Sequence, residues 1–301
     1  MKHIVITGAT SMIGVHLMNQ WLDHDCVIYA VIRPNSTNSS RIPADQKIKV
    51  INCSMDMYDS LPDIIPQADY FYHLAWDGTR ASARNDPALQ NQNYVCAVKA
   101  MNAAKTLGCS FFLGSGSQAE YGKMTDYINE EHECAPITAY GKEKLHSCNT
   151  LGTMADDYGI RFVWTRIFSL YGQYDNPGNF VSTCLDRMCK NETIDMTMCT
   201  QMWDYLYAGD AVRAMVDFAC NSHGKGVYNL ASGNVRPLKE YVEDMLLVTQ
   251  SHSKINFGSI PYGPDGPVDL LPDISRIKNE LGWRAEMPFK EGIDEIIKNG
   301  H

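Results

Sequence analysis

The sequence predicts an α/β protein with a doubly wound parallel sheet and a smaller C-terminal lobe. Short, almost continuously apolar segments alternate with stretches of helical periodicity over the first 172 of the 301 residues. This alternation is typical of parallel strands that are covered by helices on both faces. In addition, a glycine-containing turn joins the first apolar segment, Ile4 to Ile6, to the first helical stretch. Such a turn places a helix N-terminus at the edge of the sheet where open α/β folds bind ligands.

The turn after the first strand is predicted to bind a dinucleotide. Residues 7–14 read TGATSMIG. Gly8 allows a tight turn, Gly14 lets the helix pack closely on the strand, and Ser11 stands where many such turns carry glycine. The helix N-terminus presents unpaired N–H groups and the positive end of its dipole to a pyrophosphate. The predicted pyrophosphate contacts are Gly8, Ser11, Met12, Ile13 and Gly14.

The second strand, Cys26 to Ile32, ends where the adenosine ribose of a bound dinucleotide would lie. An acidic residue at this point selects NAD, whereas an arginine accommodates the additional phosphate of NADP. The chain offers Arg33 and the hydroxyl of Ser36, and no carboxylate. We therefore expect NADP rather than NAD, and we place Asp56, which follows the third strand, beside the adenine.

The remaining strands complete the predicted sheet and define two domains. They are expected at Ile48 to Asn52, Tyr70 to Ala75, Ser110 to Leu113 and Arg161 to Phe168. A glycine-rich stretch from residue 114 is predicted to end the fifth strand. The dinucleotide-binding domain would span residues 1–172, with later returns to the sheet near 206–231. The substrate-binding lobe would take residues 173–205 and 232–301.

Composition argues against several kinds of partner. The net charge of −9 disfavours nonspecific binding to nucleic acid or to an anionic membrane. No apolar run approaches the roughly 20 residues of a membrane span. The ten cysteines are scattered singly and lack the paired spacing of a zinc site. We therefore expect reduced thiols, no metal centre and a cytoplasmic protein.

Three residues are candidates for catalysis. Tyr140 and Lys144 are four residues apart on a predicted helix, so their side chains share one face. A free tyrosine has a pKa of about 10, and a nearby ammonium favours the phenolate and lowers that value. Ser117, at the end of the fifth strand, could hydrogen-bond the same substrate oxygen. Together these groups predict a proton relay beside a nicotinamide ring.

These motifs resemble those of the extended short-chain dehydrogenase/reductase family, in the NAD-dependent epimerase/dehydratase group that acts on nucleotide sugars. The resemblance covers nearly the whole chain. Besides the glycine turn and the Tyr–Lys pair, it rests on residues 73–75 (HLA), Asn93, residues 117–122 (SQAEYG), Pro136, Thr138, residues 166–172 (RIFSLYG), residues 204–210 (DYLYAGD) and residues 280–283 (ELGW).

The resemblance implies a Rossmann-type fold, a nicotinamide cofactor and hydride transfer to or from a sugar carbon, commonly C4. Tyr140 would exchange a proton with the substrate oxygen, Ser117 would polarise that oxygen, and Lys144 would bind the nicotinamide ribose and lower the phenol pKa. Further cofactor contacts are expected at Leu74, Ala75 and Asn93. Substrate contacts are expected at Trp76, Arg80, Gln118, Ser169 and Asn179. The family also implies a homodimer in which the helices near 87–107 and 139–158 form a four-helix bundle.

Departures from the family pattern narrow the activity. Sugar-nucleotide 4,6-dehydratases place an Asp-Glu pair after the catalytic Ser or Thr, where this chain has Gln118 and Ala119. Ala119 also replaces the cysteine of the fucose-type epimerase-reductases. Trp203 replaces an arginine that often binds a substrate phosphate, a role that another arginine (Arg80, Arg187 or Arg236) could take.

Our first hypothesis is therefore an NADP(H)-dependent reductase of a 4-keto (deoxy)sugar nucleotide, since phosphorylated cofactor usually serves net reduction. The alternative is a nucleotide-sugar 4-epimerase with tightly bound NAD. A third possibility is a non-catalytic NAD(P)-binding protein, which the presence of Ser117, Tyr140 and Lys144 disfavours.

Overall fold

The structure, a computed structural model, describes residues 1–123, 125–221, 223–263 and 266–299. Its strands, in chain order, are β1 (Lys2–Thr7), β2 (Cys26–Ile32), β3 (Ile48–Asn52), β4 (Tyr70–His73), β5 (Phe111–Ser117), β6 (Arg161–Ile167), β7 (Leu170–Tyr171), β8 (Ile194–Met196), β9 (Met202–Trp203), β10 (Leu206–Tyr207), β11 (Gly226–Leu230), β12 (Arg236–Pro237) and β13 (Ile255–Phe257). Its α-helices are α1 (Met12–Leu22), α2 (Leu61–Ile64), α3 (Pro87–Thr106), α4 (Ala139–Tyr158), α5 (Phe180–Cys189), α6 (Ala208–Cys220), α7 (Leu238–Thr249), α8 (Ser275–Leu281) and α9 (Phe289–Lys298). Short 3-10 helices cover Ser39–Arg41, Met55–Ser60, Ala81–Asn85 and Gln118–Glu120.

Seven strands form one parallel sheet in the order β11-β6-β5-β4-β1-β2-β3. β1 lies between β2 and β4 and pairs with both in parallel. The chain thus adds β2 and β3 on one side of β1 and then returns to build the other side. The doubly wound sheet that the sequence predicts is confirmed. The reversal of strand order lies between β1 and β4, and ligands of such sheets bind at the carboxyl ends of these strands.

Alternation of side chains along β1 gives the sheet a core on each face. Ile4 and Ile6 belong to the core that contains Leu17 of α1 and residues of α6. Val5 belongs to the opposite core, which contains Met101 of α3 and residues of α4. These two cores fix α1 and α4 against opposite faces of the sheet. Their N-terminal turns carry the predicted cofactor and catalytic residues.

A third apolar cluster joins the small elements that follow β6. It combines residues of α5, α7 and α9 with Ile194 and Met196 of β8. Tyr171 of β7 contacts Phe289 of α9, with a ring-centroid distance of 4.8 Å. The two-stranded sheets β10-β7, β12-β9 and β13-β8 complete this part of the chain.

The fifth strand is longer than the sequence predicts. β5 continues through the glycine-rich stretch and ends at Ser117 rather than at Leu113. The glycines are needed for packing, because a Cβ atom on Gly114 or on Gly116 would lie 2.4 or 2.2 Å from the indole ring of Trp164. The predicted break after Leu113 is therefore wrong, since these glycines accommodate a large side chain on β6 and do not form a turn.

The ten cysteines are all unpaired. No helix among the described residues has the length and apolar character needed to cross a membrane.

Candidate active site

The turn between β1 and α1 is tight at both of its glycines. Gly8 has a φ of +70°, and a Cβ atom there would lie 2.8 Å from the amide nitrogen of Ala75. A Cβ atom on Gly14 would lie 2.5 Å from the carbonyl oxygen of Gly8. Ser11 is the N-cap of α1, and its hydroxyl accepts a hydrogen bond from the Gly14 N–H at 3.1 Å. The serine at this position therefore stabilises the start of the helix.

This turn fits a dinucleotide pyrophosphate. Within the described part of the chain, the N–H groups of Met12 and Ile13 in the first turn of α1 have no protein acceptor. Unpaired N–H groups at a helix N-terminus, together with the helix dipole, attract phosphate. The small side chains of the turn leave the backbone accessible from the cleft.

A cavity of about 240 Å³ lies at the carboxyl ends of β1, β2 and β4. It is lined by Gly8, Thr10, Ser11, Met12, Val31, Ile32, Arg33, Asn38, Arg41, Met55, Tyr58, Leu74, Ala75, Trp76, Asp77, Tyr174 and Asn176. Six predicted cofactor residues are among them, namely Gly8, Ser11, Met12, Arg33, Leu74 and Ala75. The cavity thus occupies the crevice in which sheets of this order bind nucleotides.

Seven other predicted cofactor residues lie outside this lining, namely Ile13, Gly14, Ser36, Asp56, Asn93, Tyr140 and Lys144. Ile13 and Gly14 lie behind the turn, within α1. Ser36 is half-buried in the loop after β2, where its N–H donates to the Arg33 carbonyl. Asp56 is exposed, and its neighbour Met55 lines the cavity in its place.

Two arginines stand at the predicted adenosine end of the cavity. Arg33 forms an ion pair with Asp77 across the cleft, with Nη1 3.3 Å from Oδ1, and both side chains are largely exposed. Arg41 donates to the carbonyl oxygen of Tyr174 at 3.3 Å. An exposed ion pair of this kind contributes little to stability, so Arg33 can exchange its partner for an anionic ligand.

Two buried amides of α3 fix the loop that follows β4. Asn93 accepts from the Asp77 N–H and donates to the Asp77 carbonyl, both at 2.9 Å. Gln90 accepts from the indole N–H of Trp76 at 2.7 Å and donates to the carbonyls of Gly78 and Ala83. Asn93 therefore shapes the cleft through Asp77 rather than by lining it.

The candidate catalytic residues Tyr140 and Lys144 both contact Trp76, which lines the cavity. Tyr140 and Lys144 of α4 are 8% and 2% exposed. The Lys144 ammonium lies 3.8 Å from the ring centroid of Trp76 and donates to the Ser115 carbonyl at 2.6 Å. The Tyr140 and Trp76 rings meet edge to face at 6.1 Å. Burial raises the pKa of Tyr140 above its usual value, and the neighbouring Ser117 hydroxyl opposes this shift.

Burial also changes the charge of two basic groups in this region. It lowers the pKa of Lys144 to about 7, because little solvent reaches the ammonium. It lowers the pKa of His73 to about 3, so this imidazole is neutral near pH 7. His73 Nδ1 lies 3.0 Å from the Thr7 hydroxyl oxygen, so the side chain links β4 to β1 at the edge of the cleft.

A buried ion pair lies directly behind Ser117. Glu120 is 0% exposed, and its carboxylate accepts from the Arg166 Nε–H at 2.8 Å and from the Trp164 indole at 3.0 Å. It also accepts from the Ser117 N–H at 2.8 Å. The Ser117 hydroxyl in turn accepts from the Ala119 N–H at 3.2 Å. These bonds fix the end of β5 and hold the Ser117 hydroxyl next to Tyr140.

The predicted substrate residues are spread along a path from Trp76 to the C-terminal part of the chain. Nη1 of Arg80 lies 3.5 Å from the position of a Cβ on Gly178. Asn179 donates to the Asp175 carboxylate. Gln118 and Ser169 are half-buried at the ends of β5 and β6, and the Ser169 carbonyl accepts from the Leu206 N–H.

A second cavity, of about 540 Å³, continues this path. Its lining includes Gly178, Arg187 and Trp203. Arg236 lies opposite Trp203 in the β12-β9 pair but is not part of this lining, and its guanidinium pairs with Asp244 at 2.7 Å and stacks on an aromatic ring. Three arginines could replace the phosphate-binding arginine that is missing at position 203. Of these, Arg187 lines the cavity and Arg80 lies over its edge at Gly178.

Sequence reasoning missed several residues of this site. Met55 and Tyr58 carry no recognisable motif and reach the cavity through the 3-10 helix that follows β3. Arg84 lies just before α3 and Gln90 lies in its first turn, and helical spacing gives no signal for the loop contacts that both residues make. Glu120 follows the end of β5 by three residues, and its buried partners Trp164 and Arg166 come from β6, so the local sequence gives no signal for their contact.

Comparison with known proteins gives a consistent result. The model of the NAD dependent epimerase/dehydratase family matches residues 4–231. CDP-abequose synthase from Salmonella muenchen is 25% identical over 309 residues, covering 98% of this chain and 97% of that protein. UDP-glucuronic acid decarboxylase 1 from Arabidopsis thaliana is 25% identical over 311 residues, covering 98% and 69%. dTDP-4-dehydro-6-deoxyglucose reductase from Escherichia coli is 27% identical over 202 residues, covering 64% and 62%.

Solved structures share the fold. UDP-glucose 4-epimerase from Thermotoga maritima, solved with UDP-glucose, has a TM-score of 0.88 at 20% identity, with 99% of each chain covered. RMD from Pseudomonas aeruginosa, solved with NADPH, has a TM-score of 0.82 at 21% identity, with 99% of this chain and 98% of that one covered. The family model and the shared fold agree with the glycine turn and the Tyr–Lys helix, and they show that this chain belongs to the NAD-dependent epimerase/dehydratase family, whose members are enzymes of the short-chain dehydrogenase/reductase type.

Proposed function

We propose that the enzyme is an NADP(H)-dependent reductase of a 4-keto (deoxy)sugar nucleotide. The observation that carries the proposal is the pair Gln118 and Ala119 directly after Ser117. Neither side chain can transfer a proton. The site therefore lacks, at these two positions, the acid-base pair that a dehydration needs, and Tyr140 is its candidate acid. One relative is named dTDP-4-dehydro-6-deoxyglucose reductase, and this name describes a reduction of the same kind.

The chain's own residues supply binding and proton transfer. The Ser117 hydroxyl lies close enough to Tyr140 to lower its pKa, and both groups would point to the substrate carbonyl oxygen. Because burial raises the pKa of Tyr140, the phenol holds its proton near pH 7 and serves as a general acid. Lys144, anchored on the Ser115 carbonyl, would hold the nicotinamide ribose. When bound, the reduced coenzyme supplies the hydride to the carbonyl carbon.

Coenzyme choice would depend on Arg33 and Arg41. Both line the cavity at the end of β2, and Arg33 forms an exposed ion pair with Asp77. A 2′-phosphate beside these guanidiniums would gain charge-assisted hydrogen bonds, which are stronger than neutral ones. Glycine-turn residues 8–14 and the first turn of α1 would hold the pyrophosphate.

The substrate diphosphate would lie between Arg80 and Arg187. Trp203 carries no positive charge to offset that of a diphosphate, whereas these two arginines reach the edge and the lining of the 540 Å³ cavity. Residues 173–205 and 232–301 would thus form the substrate lobe. Asn179, Ser169, Gln118 and Trp76 stay predicted substrate contacts.

A homodimer through α3 and α4 stays a prediction. The two helices pack side by side. Within the described chain, Val95 is the one exposed large apolar residue that they carry. Such a bundle would therefore need mainly polar contacts. A cytoplasmic location stays a prediction as well.

The direct test of the proposed function is coenzyme oxidation. We expect the purified enzyme to oxidise NADPH when a dTDP- or CDP-linked 4-keto-6-deoxyhexose is added, and to yield the 4-hydroxy sugar. No oxidation with either nucleotide, together with tightly bound NAD in the purified protein and interconversion of C4 epimers, would contradict the proposal and favour the epimerase.

Coenzyme choice can be tested with Arg33→Gln. We expect kcat/KM for NADPH to fall about tenfold, because a hydrogen bond to a charged group is lost. The value for NADH should stay unchanged, and it serves as the internal control. Equal losses with both coenzymes, or none with NADPH, would show that Arg33 does not contact the 2′-phosphate.

A further inference from the structure

The loop before α3 places a guanidinium against the proposed catalytic tyrosine. Arg84 lies in the 3-10 helix Ala81–Asn85, and its Cζ is 4.4 Å from the ring centroid of Tyr140. Nη1 of the same side chain donates to the Thr79 carbonyl at 3.3 Å. One face of the phenol ring therefore packs against a cation.

The position of Arg84 is fixed from α3. Gln90 is fully buried and donates to the carbonyls of Gly78 and Ala83 at 2.9 Å, on either side of the loop. Its oxygen accepts from Trp76, whose ring meets the edge of Tyr140. Gln90 thus positions two groups beside Tyr140, namely the loop that carries Arg84 and the indole of Trp76.

Charged and polar groups face Tyr140 from each element packed against it. The Ser117 hydroxyl lies beside the phenol at the end of β5, and the buried carboxylate of Glu120 follows in the next turn. On α4, the Nζ of Lys144 is 5.8 Å from the Tyr140 ring centroid. Arg84 is the fourth group and lies closer to the ring than Lys144.

These groups differ in how constant their charge is. Burial lowers the pKa of Lys144 to about 7, so the ammonium is only partly protonated near neutral pH. An arginine keeps its charge at any physiological pH. Burial and Glu120 raise the pKa of Tyr140, whereas Ser117 and Arg84 lower it. The permanent positive charge at the phenol comes from Arg84.

We propose that Arg84 is a positioning residue for Tyr140 that stabilises the phenolate formed during catalysis. This inference rests on the proposed role of Tyr140 as proton donor. In that step the Tyr140 O–H bond breaks, the proton forms a new O–H bond on the substrate oxygen, and the electron pair stays on Tyr140 Oη. The resulting negative charge, shared with the ring, faces the guanidinium until a proton from water restores the phenol.

The first test titrates Tyr140 directly in the coenzyme-free protein. Tyrosine labelled at Cζ is followed by NMR, and Tyr140→Phe assigns the signal. We expect Arg84→Gln to raise the phenol pKa by about one unit, because an opposite charge within about 4–6 Å is removed. Arg84→Lys should raise it less. The matched control is Lys239→Gln, which removes an ammonium 5.0 Å from the remote Phe257 ring and should leave the Tyr140 signal unchanged.

The second test is kinetic. We expect Arg84→Gln to lower kcat for reduction about tenfold, the factor equivalent to one pKa unit, with little change in KM for the coenzyme and with recovery in Arg84→Lys. An unchanged phenol pKa in Arg84→Gln, or equal losses in the Gln and Lys variants, would overturn the inference. A raised phenol pKa in a protein that reduces no keto sugar nucleotide would support Arg84 and contradict the proposed function.

Discussion

Replacement of Tyr140 by phenylalanine is expected to lower kcat on the order of a thousandfold, while coenzyme binding and folding are retained. A positioned general acid contributes about a hundredfold to ten-thousandfold to the rate, and Tyr140 is the proposed proton donor of this site. Phenylalanine keeps the ring between Arg84 and Trp76, so the packing seen in the structure stays in place. The measurement is steady-state NADPH oxidation with a 4-keto-6-deoxyhexose nucleotide.

The matched control for this experiment is Tyr94→Phe. Tyr94 lies on α3 and stacks on His146 outside the cleft, so its hydroxyl should not affect turnover. Thermal unfolding and a coenzyme-binding titration show whether Tyr140→Phe is folded and loaded. If the folded variant kept activity within about tenfold of wild type, a lower factor than general acid catalysis provides, Tyr140 would not be the acid.

Removal of the Glu120 carboxylate is expected to give the largest loss of stability. Glu120→Ala should lower the free energy of unfolding by about 3–5 kcal/mol, the cost of breaking a buried ion pair by deleting one partner. It leaves the Arg166 guanidinium, the Trp164 indole N–H and the Ser117 N–H without their acceptor. Urea denaturation followed by tryptophan fluorescence measures the change.

Two further variants make this prediction specific. Glu133→Ala removes an exposed carboxylate and should change stability little, since surface substitutions usually fall within about 0.5 kcal/mol. Glu120→Gln keeps an acceptor oxygen and should lower the free energy of unfolding less than Glu120→Ala does. The glutamine variant also provides a measurement if the alanine variant fails to fold. Equal stabilities of Glu120→Ala and Glu133→Ala would contradict the role that we assign to this pair.

The sequence predicts local features of this protein well. The alternation of apolar segments and helical periods gives the parallel sheet, because strands buried on both faces need apolar residues at almost every position. The glycine turn follows from two positions, 8 and 14, at which a side chain has no room. The i, i+4 spacing of Tyr140 and Lys144 puts both on the buried face of α4.

Contacts between distant segments could not be predicted in this way. Glycines at 114 and 116 suggest a turn, and only the packing of Trp164 from β6 explains why the strand continues. Glu120 looks like a solvated residue until Arg166, far along the chain, is placed beside it. The stacking of Arg84 on Tyr140 depends on how a loop folds against α4, for which spacing carries no information.

We propose that this site transfers hydride from a reduced coenzyme to a sugar carbon with net reduction. The most direct test uses NADPH that carries deuterium at the transferable position, together with a 4-keto-6-deoxyhexose nucleotide. We expect one deuterium at C4 of the product sugar for each NADPH oxidised. A C4-epimerised product without deuterium, formed while NADPH is left unoxidised, would contradict it.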